Sequence, residues 1–343
     1  MSAQSQSEQA GVLVIGRVLA SLSEALVLLL IVRLLGKADL GVLAALVLVY
    51  ETLALILSAG FPASLMYYLP SETPEVRGAL ARRFTGVLIG LGGLAAVALA
   101  GVGAVDLLQP GYWAQLAGGA VGLREDVGQG VSLQYLVLLA PGAILELPSR
   151  MLPNLLVVEG RARAAAGVGV VRSLGRTLFT VVPIALGLDL WWVAGSMTVF
   201  GLLYGSLVFW FLRDLYGDLP RVPSPHTVRD LFRFAIPLGF TDTVGILNKR
   251  LDRYLIVALF AATAVAEYEV GAWQIPFVAS IPFAIGAAYT PRFRELFAQG
   301  SAQEAIDIWR LSIQKASLII VPICAIFVVA AEETVELLFT DVY

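Results

Sequence analysis

Long apolar runs broken by short polar stretches make up nearly the whole chain. A segment that crosses a bilayer as a helix needs about 20 mostly apolar residues. On that measure the pattern predicts spans at 11–33, 40–62, 84–106, 132–152, 165–187, 190–212, 229–258, 268–290 and 308–331. A tenth begins in EETVELLFTDVY at the end of the sequence. One predicted span breaks the pattern. The stretch FAIPLGFTDTVGILNKRLDRYLIV, residues 234–257, carries Asp242, Lys249, Arg250, Asp252 and Arg253 among residues otherwise suited to lipid.

Small residues and prolines refine the helices. The stretch GVLIGLGGLAAVALAGVGAV fits close helix packing of the small-xxx-small kind. It also contains a formal GxGxxA at Gly90, Gly92 and Ala95. A dinucleotide site needs a strand before that motif and a helix after it, whereas here it falls inside a span. Pro141, Pro148 and Pro153 predict a kink in the fourth span. The loop GLREDVGQG, 122–130, is the one sizeable loop predicted on the outer side, and PRVPSPHTVRDLFRF, 220–234, reads as a linker leading into a helix.

Composition agrees with the spans. The 343 residues are 58% hydrophobic and 14% charged, against about 45–50% and about 25% in soluble domains. The chain reads as an all-α polytopic membrane protein. A net charge of −3 gives no sign of a nucleic-acid partner. Cys324 is the only cysteine and His226 the only histidine. An internal disulfide, a thiolate metal cage, a His-based metal site and a Ser-His-Asp triad are therefore excluded. There is no Walker lysine motif, and neither catalytic residues, metal nor cofactor are expected. The first ten residues hold no Lys or Arg, unlike a signal peptide, and read as a cytoplasmic tail entering a retained helix. With the N-terminus inside, most loop Arg and Lys residues fall in the cytoplasmic loops, around 77–83, 161–163, 213–233 and 292–315. The positive-inside rule supports that orientation.

The charges within spans carry the candidate chemistry. At about 100° per residue, Asp242, Lys249 and Arg253 fall within about 40° of one another, with Arg250 and Asp252 to either side. A central Arg or Lys costs about 2.5–3.5 kcal/mol on the insertion scale, so several facing lipid would defeat insertion. They must face protein or water. Arg17 and Glu24 share a face of the first span, and Glu51 lies mid-span in the second. Arg172 and Arg176 stand one turn apart in the fifth with no acidic neighbour in sequence. Glu146 and Arg150, four residues apart in the fourth span, have two readings: mutual pairing that avoids a lone buried charge, or a role in a cavity. The expected cavity residues are Arg17, Glu24, Glu51, Arg172, Arg176, Asp242, Lys249, Arg250 and Arg253. Basic side chains outnumber acidic ones among the charges within spans, a balance suited to a diphosphate, which Arg holds through paired hydrogen bonds.

A weak internal repeat frames these charges. LIVRLLGKADLGVLAAL (30–46) and LIVALFAATAVAEYEVGA (255–272) align at an offset of 225 residues. The alignment sets Arg17 over Asp242 and Glu24 over Lys249, opposite in sign at both places. Six spans separate the copies, so both run in one direction, as two lobes about an axis along the membrane normal. Cross-lobe pairs that form and break as a cavity closes and opens are expected from this arrangement.

Four stretches resemble a known family: RLLGKADLGVLAALVLVYETLALILSAGFPASLMYYLP (33–70), VEGRARAAAGVGVVRSLGRTLF (158–179), RFAIPLGFTDTVGILNKRLDRYLIVALF (233–260) and VGAWQIPFVASIPFAIGAAYTPRFREL (270–296). They are similar to the polysaccharide transporters, or O-antigen flippase-like proteins, of the multidrug/oligosaccharidyl-lipid/polysaccharide (MOP) exporter superfamily. The resemblance implies twelve to fourteen helices in two six-helix lobes around a central cavity. It implies a polyprenyl-diphosphate-linked sugar or oligosaccharide as cargo, moved across the cytoplasmic membrane by alternating access. Its partners would be that lipid-linked sugar, membrane lipids and other membrane proteins of polysaccharide biosynthesis. On this reading residues 1–213 form the first lobe, 214–228 a cytoplasmic linker, and 229–343 a partial second lobe of three helices and the start of a fourth. Against the family's length the second lobe reads as truncated, in a fragment of a longer protein or a shortened gene. Three alternatives remain at this stage. They are a cation-coupled drug exporter of the same superfamily, a membrane glycosyltransferase, polymerase or ligase, and a remnant that does not transport.

Overall fold

The structure is a computed structural model and describes residues 26–113, 115–116, 131–273, 278, 293, 296 and 299–339. Arg17, Glu24, the 122–130 loop and most of the predicted span 268–290 lie outside the described residues. Within them the regular structure is helical: α1 (26–34), α2 (Lys37–Ser58), α3 (Phe61–Tyr68), α4 (Pro74–Leu108), α5 (Leu136–Ser149), α6 (Leu152–Val158), α7 (Ala162–Ala185), α8 (Leu190–Tyr216), α9 (Val228–Leu259), α10 (Ala262–Gly271), α11 (Ala302–Val329) and α12 (Ala331–Phe339). Six helical stretches among the described residues are long and apolar enough to cross a membrane: Lys37–Ser71, Pro74–Leu108, Leu136–Val158, Ala162–Ala185, Leu190–Tyr216 and Ala302–Val329. The 32 residues of α9 would reach about 48 Å at about 1.5 Å per residue. Its charges keep it out of that apolar set.

Gly90, Gly92 and Ala95 fall inside the unbroken α4, which leaves no strand-to-helix turn for a dinucleotide. Gly92 instead brings two backbones together: a Cβ there would stand 2.7 Å from the carbonyl oxygen of Ala143 in α5. On the other flank of α5, a Cβ at Gly205 of α8 would stand 2.4 Å from Leu145 Cβ. Leu88, Ala95, Leu136, Ala143 and Leu147 are fully buried in this layer. In lipid, where apolar burial drives helix association little, such close contact and interhelical polar bonds do the work.

Two helix breaks shape the site. The first separates α2 from α3 at Gly60, whose φ of +79° is the left-handed conformation that glycine adopts at least cost. The early part of α9 crosses this break. A Cβ at Gly60 would lie 2.1 Å from the Ala235 carbonyl oxygen, and one at Gly239 would lie 2.6 Å from that of Ala59. The second break falls at Arg150 and Met151, between α5 and α6. Pro148 lies in the last turn of α5 and Pro153 in the first turn of α6, so the prolines expected to kink this span frame an interruption in it.

The linker's end is tied down. Thr227 caps α9, its hydroxyl accepting from the Asp230 N–H at 3.3 Å while the Asp230 carboxylate accepts from the Thr227 N–H at 2.8 Å. Arg83 donates to the His226 carbonyl, and the His226 ring lies 3.2 Å from Glu72 Oε1. Residues through Tyr268 form one compact unit and Glu269–Tyr343 a second. In the second, Trp273 meets Phe339 edge to face, with ring centroids 5.5 Å apart.

Candidate functional site

The first unit holds a chain of alternating charges built from three helices. α2 supplies Tyr50 and Glu51, the end of α5 supplies Glu146 and Arg150, and α7 supplies Arg172 and Arg176. Arg150 Nη2 donates to Glu51 Oε2 at 2.9 Å and to Glu146 Oε1 at 3.0 Å. Arg172 Nη2 donates to the same Glu146 Oε1 at 2.9 Å, and the Tyr50 hydroxyl donates to Glu146 Oε2 at 2.8 Å. Arg176 pairs with Glu51 Oε1. The order is Arg176–Glu51–Arg150–Glu146–Arg172, and every carboxylate oxygen accepts at least one donor. Three guanidiniums against two carboxylates leave one net positive charge.

Burial is uneven along this chain. The Arg150 side chain is 8% exposed and that of Glu51 11%, whereas that of Arg172 is 32% exposed. The buried Nε of Arg150 has no hydrogen-bond partner among the described residues. Pairing at both carboxylates is what allows these ions to remain inside, because a buried charge without a partner costs several kcal/mol.

Beside the network opens a cavity of about 590 Å³, walled by the α2–α3 break, the α5–α6 break, α7 and α9. Its polar lining comprises Ser58, Arg150, Asn154, Arg172, Thr241, Asp242 and Lys249. Arg150 and Arg172 belong to both the network and the cavity. A second, much smaller space of about 30 Å³ lies on the α8 side of the network. Tyr50, Glu146, Arg172, Arg176, Thr198 and Tyr204 are among its lining residues.

The sequence-predicted residues separate into groups. Glu51, Arg172 and Arg176 meet in the network, with Arg172 reaching the large cavity as well. Both arginines, which lack an acidic neighbour in sequence, find carboxylates on other helices. Asp242 and Lys249 line the large cavity and form no ion pair among the described residues. Arg250 turns toward α2, its Nη1 donating to Thr52 Oγ1 at 2.8 Å. Arg253 shares the helical face of Asp242 and Lys249 but is not part of the cavity lining. Asp252 accepts from the Tyr268 hydroxyl. The structure adds Arg150, Glu146, Tyr50 and Asn154 to the site. Glu146 and Arg150 do pair, as one reading of the sequence had it, but within a larger assembly. Only their four-residue spacing signalled this. Nothing local marks Tyr50 or Asn154.

The family described as Polysaccharide biosynthesis protein matches residues 161–297. Two solved structures superpose on nearly the entire chain. One is an inward-facing multidrug resistance MATE family transporter of the MOP superfamily, at a TM-score of 0.59 and 16% identity, covering 98% of this chain and 72% of that one. The other is a MOP superfamily transporter from Pyrococcus furiosus, at a TM-score of 0.59 and 15% identity, covering 96% of this chain and 73% of that one. No curated protein matches. The chain has the MOP-superfamily fold. Residues 161–297 resemble the polysaccharide biosynthesis family, and the apolar helices with this fold make the chain a multi-pass membrane protein. The network and the cavity lie within the first compact unit, on helices that the matched segment contributes in part, α7 and α9 among them.

Proposed function

We propose that this protein moves a polyprenyl-diphosphate-linked sugar or oligosaccharide across the cytoplasmic membrane by alternating access, for surface polysaccharide synthesis. The observation that carries the reading is the lining of the large cavity, where Arg150, Arg172 and Lys249 face a single carboxylate, Asp242. A diphosphate is an anion rich in acceptors. Guanidinium groups hold it through paired, charge-assisted hydrogen bonds. Arg172 can offer such bonds from the cavity wall, while Lys249 acts as a more mobile point charge on the facing helix.

The family match to polysaccharide biosynthesis proteins supports the sugar end of the cargo. The Pyrococcus furiosus transporter of this fold is described as having a binding pocket whose reverse polarity suggests a different function. A cation-coupled drug exporter is the second reading, favoured by the fold shared with a multidrug MATE transporter. An excess of positive charge in the cavity opposes an organic cation as cargo. The protein acts as a transporter and not as an enzyme, in the cytoplasmic membrane with its N-terminus inside. Arg17 and Glu24 contribute from the first helix, meeting Asp242 and Lys249 across the pseudo-two-fold axis of two lobes.

The test is reconstitution of the full chain in liposomes with a fluorescent polyprenyl-diphosphate-linked N-acetylglucosamine in one leaflet. Protein-dependent movement to the other leaflet, weakened by Lys249→Ala, is the expected result. Movement of ethidium with none of the lipid-linked sugar would overturn the reading in favour of drug export.

A further inference from the structure

The two cavity arginines share one anchor. Arg150 Nη2 and Arg172 Nη2 both donate to the same atom, Glu146 Oε1, at 3.0 and 2.9 Å. The two differ in how firmly they are held. Arg150 has a second carboxylate, Glu51, and is 8% exposed; Arg172 has Glu146 as its one ion-pair partner among the described residues and is 32% exposed. Of the two cavity arginines, Arg172 is thus the one that can leave the network; Arg176, 34% exposed and held by Glu51, does not line this cavity. Glu146 would not be stranded by the departure of Arg172, because Arg150 still donates to Oε1 and the Tyr50 hydroxyl to Oε2.

We infer that Glu146 is a positioning residue that sets the cavity's affinity for anions by competing with the cargo for Arg172. This inference rests on the diphosphate reading of the cavity. With the cavity empty, Arg172 is held against the wall by Glu146. A diphosphate that enters the cavity must take the guanidinium from the carboxylate, so the net gain is the difference between two charge-assisted bonds and not the whole of one. The exchange weakens binding, which a transporter needs in order to release its cargo on the far side. It also passes the arrival of the anion into the network. When Arg172 departs, Arg150 becomes the only cation on Glu146, and the pull on the α5–α6 break shifts accordingly. Tyr50 moderates the competition, since its donated hydrogen bond satisfies part of the Glu146 charge.

Farnesyl diphosphate binding to the detergent-purified full chain, followed by titration calorimetry, tests this. Glu146→Gln removes the competing charge and keeps the shape; it is expected to tighten binding several-fold. The gain must vanish when Arg172 is Ala, so the Glu146→Gln/Arg172→Ala pair should bind as weakly as Arg172→Ala alone. Tyr50→Phe leaves Glu146 pulling harder on Arg172 and should weaken binding about two-fold, equivalent to about 0.4 kcal/mol. A merely structural role for Glu146 predicts unchanged or weaker binding in Glu146→Gln, with no dependence on Arg172, and that result overturns the inference. Should Glu146→Gln fail to fold, Tyr50→Phe decides: weaker binding upholds the competition, and equal or tighter binding overturns it. Absence of any binding to the parent protein would instead sink the diphosphate reading of the cavity. Binding lost in Lys249→Ala but unmoved in Glu146→Gln leaves that reading standing and overturns only the competition.

Discussion

Two groups of charged residues sit on long helices of this protein, and they are accommodated in opposite ways. The Glu51–Glu146 group is closed: each carboxylate oxygen has a donor, and the most central cation, Arg150, is 8% exposed. Asp242 and Lys249 on α9 are open: both line a cavity of about 590 Å³, and neither forms an ion pair among the described residues. Opposite them, Ile236, Phe240, Val244, Leu247, Leu251 and Leu255 form an exposed apolar stripe along the same helix. The comparison separates charge held in pairs from charge left open to a cavity. Pairing satisfies the first; water or a ligand must satisfy the second. Arg172 joins the two groups, as it pairs with Glu146 and lines the cavity.

The sharpest test of the contrast is Glu51→Ala. It strips partners from both Arg150 and Arg176 and should cost about 3–5 kcal/mol, the usual penalty for breaking a buried pair. Thermal unfolding in detergent would show it, and a loss no greater than that in Asp242→Ala would erase the distinction. Gly60→Ala comes next. The new Cβ meets the Ala235 carbonyl at 2.1 Å on a backbone with φ +79°, so a loss of about 1–3 kcal/mol is expected. Because α9 crosses there, this variant should also reduce ligand binding, whereas a change confined to stability would detach the crossing from the cavity.

Lys249→Ala should reverse the pattern of Glu51→Ala. Its stability should stay within about 0.5 kcal/mol, while diphosphate binding weakens about ten-fold, or about 1.4 kcal/mol. Equal losses in both measurements would place Lys249 with the closed group. A smaller effect is expected when Glu24 and Lys249 are neutralised singly and together. Transport rates should show a coupling beyond about 0.5 kcal/mol if the two lobes meet through these residues, and strict additivity would remove the cross-lobe pair. Smallest is Lys37→Ala, which loses a 2.8 Å bond to a half-exposed Glu267. Exposed pairs contribute about 0–1 kcal/mol, and a larger loss would show that the α2–α10 contact matters more than its exposure suggests.

Much of the fold was legible in the chain. Spans read from apolar runs coincide with α2, α4, α5, α7, α8 and α11, because a bilayer imposes a minimum apolar length that few other environments demand. The prolines around residue 150 announced the α5–α6 break. The charges of α9 announced a surface that could not face lipid. Two features of the site were much harder to read. Arg172 and Arg176 stand with no acidic neighbour in sequence, yet their partners Glu146 and Glu51 are 26 and 125 residues away. Tyr50, beside Glu51 in sequence, serves Glu146 on another helix, at a separation of 96 residues. Local spacing reaches only one or two turns along a helix, and these bonds cross between helices.

The amino-acid sequence by itself determined the membrane class, the helical segments, the interruption near residue 150 and the need to hide about a dozen charges, but not the α2–α3 break at Gly60. Those follow from transfer energies and backbone geometry that act residue by residue. Only the tertiary structure decided which charges are paired and which line the cavity. That choice depends on how α2, α5, α7 and α9 are brought together, and close approach at small residues such as Gly92, Gly205, Gly60 and Gly239 sets how near the helices come. Once three helices place two carboxylates among three guanidiniums, pairing is the lowest-energy arrangement, and the open face of α9 is what remains for a ligand.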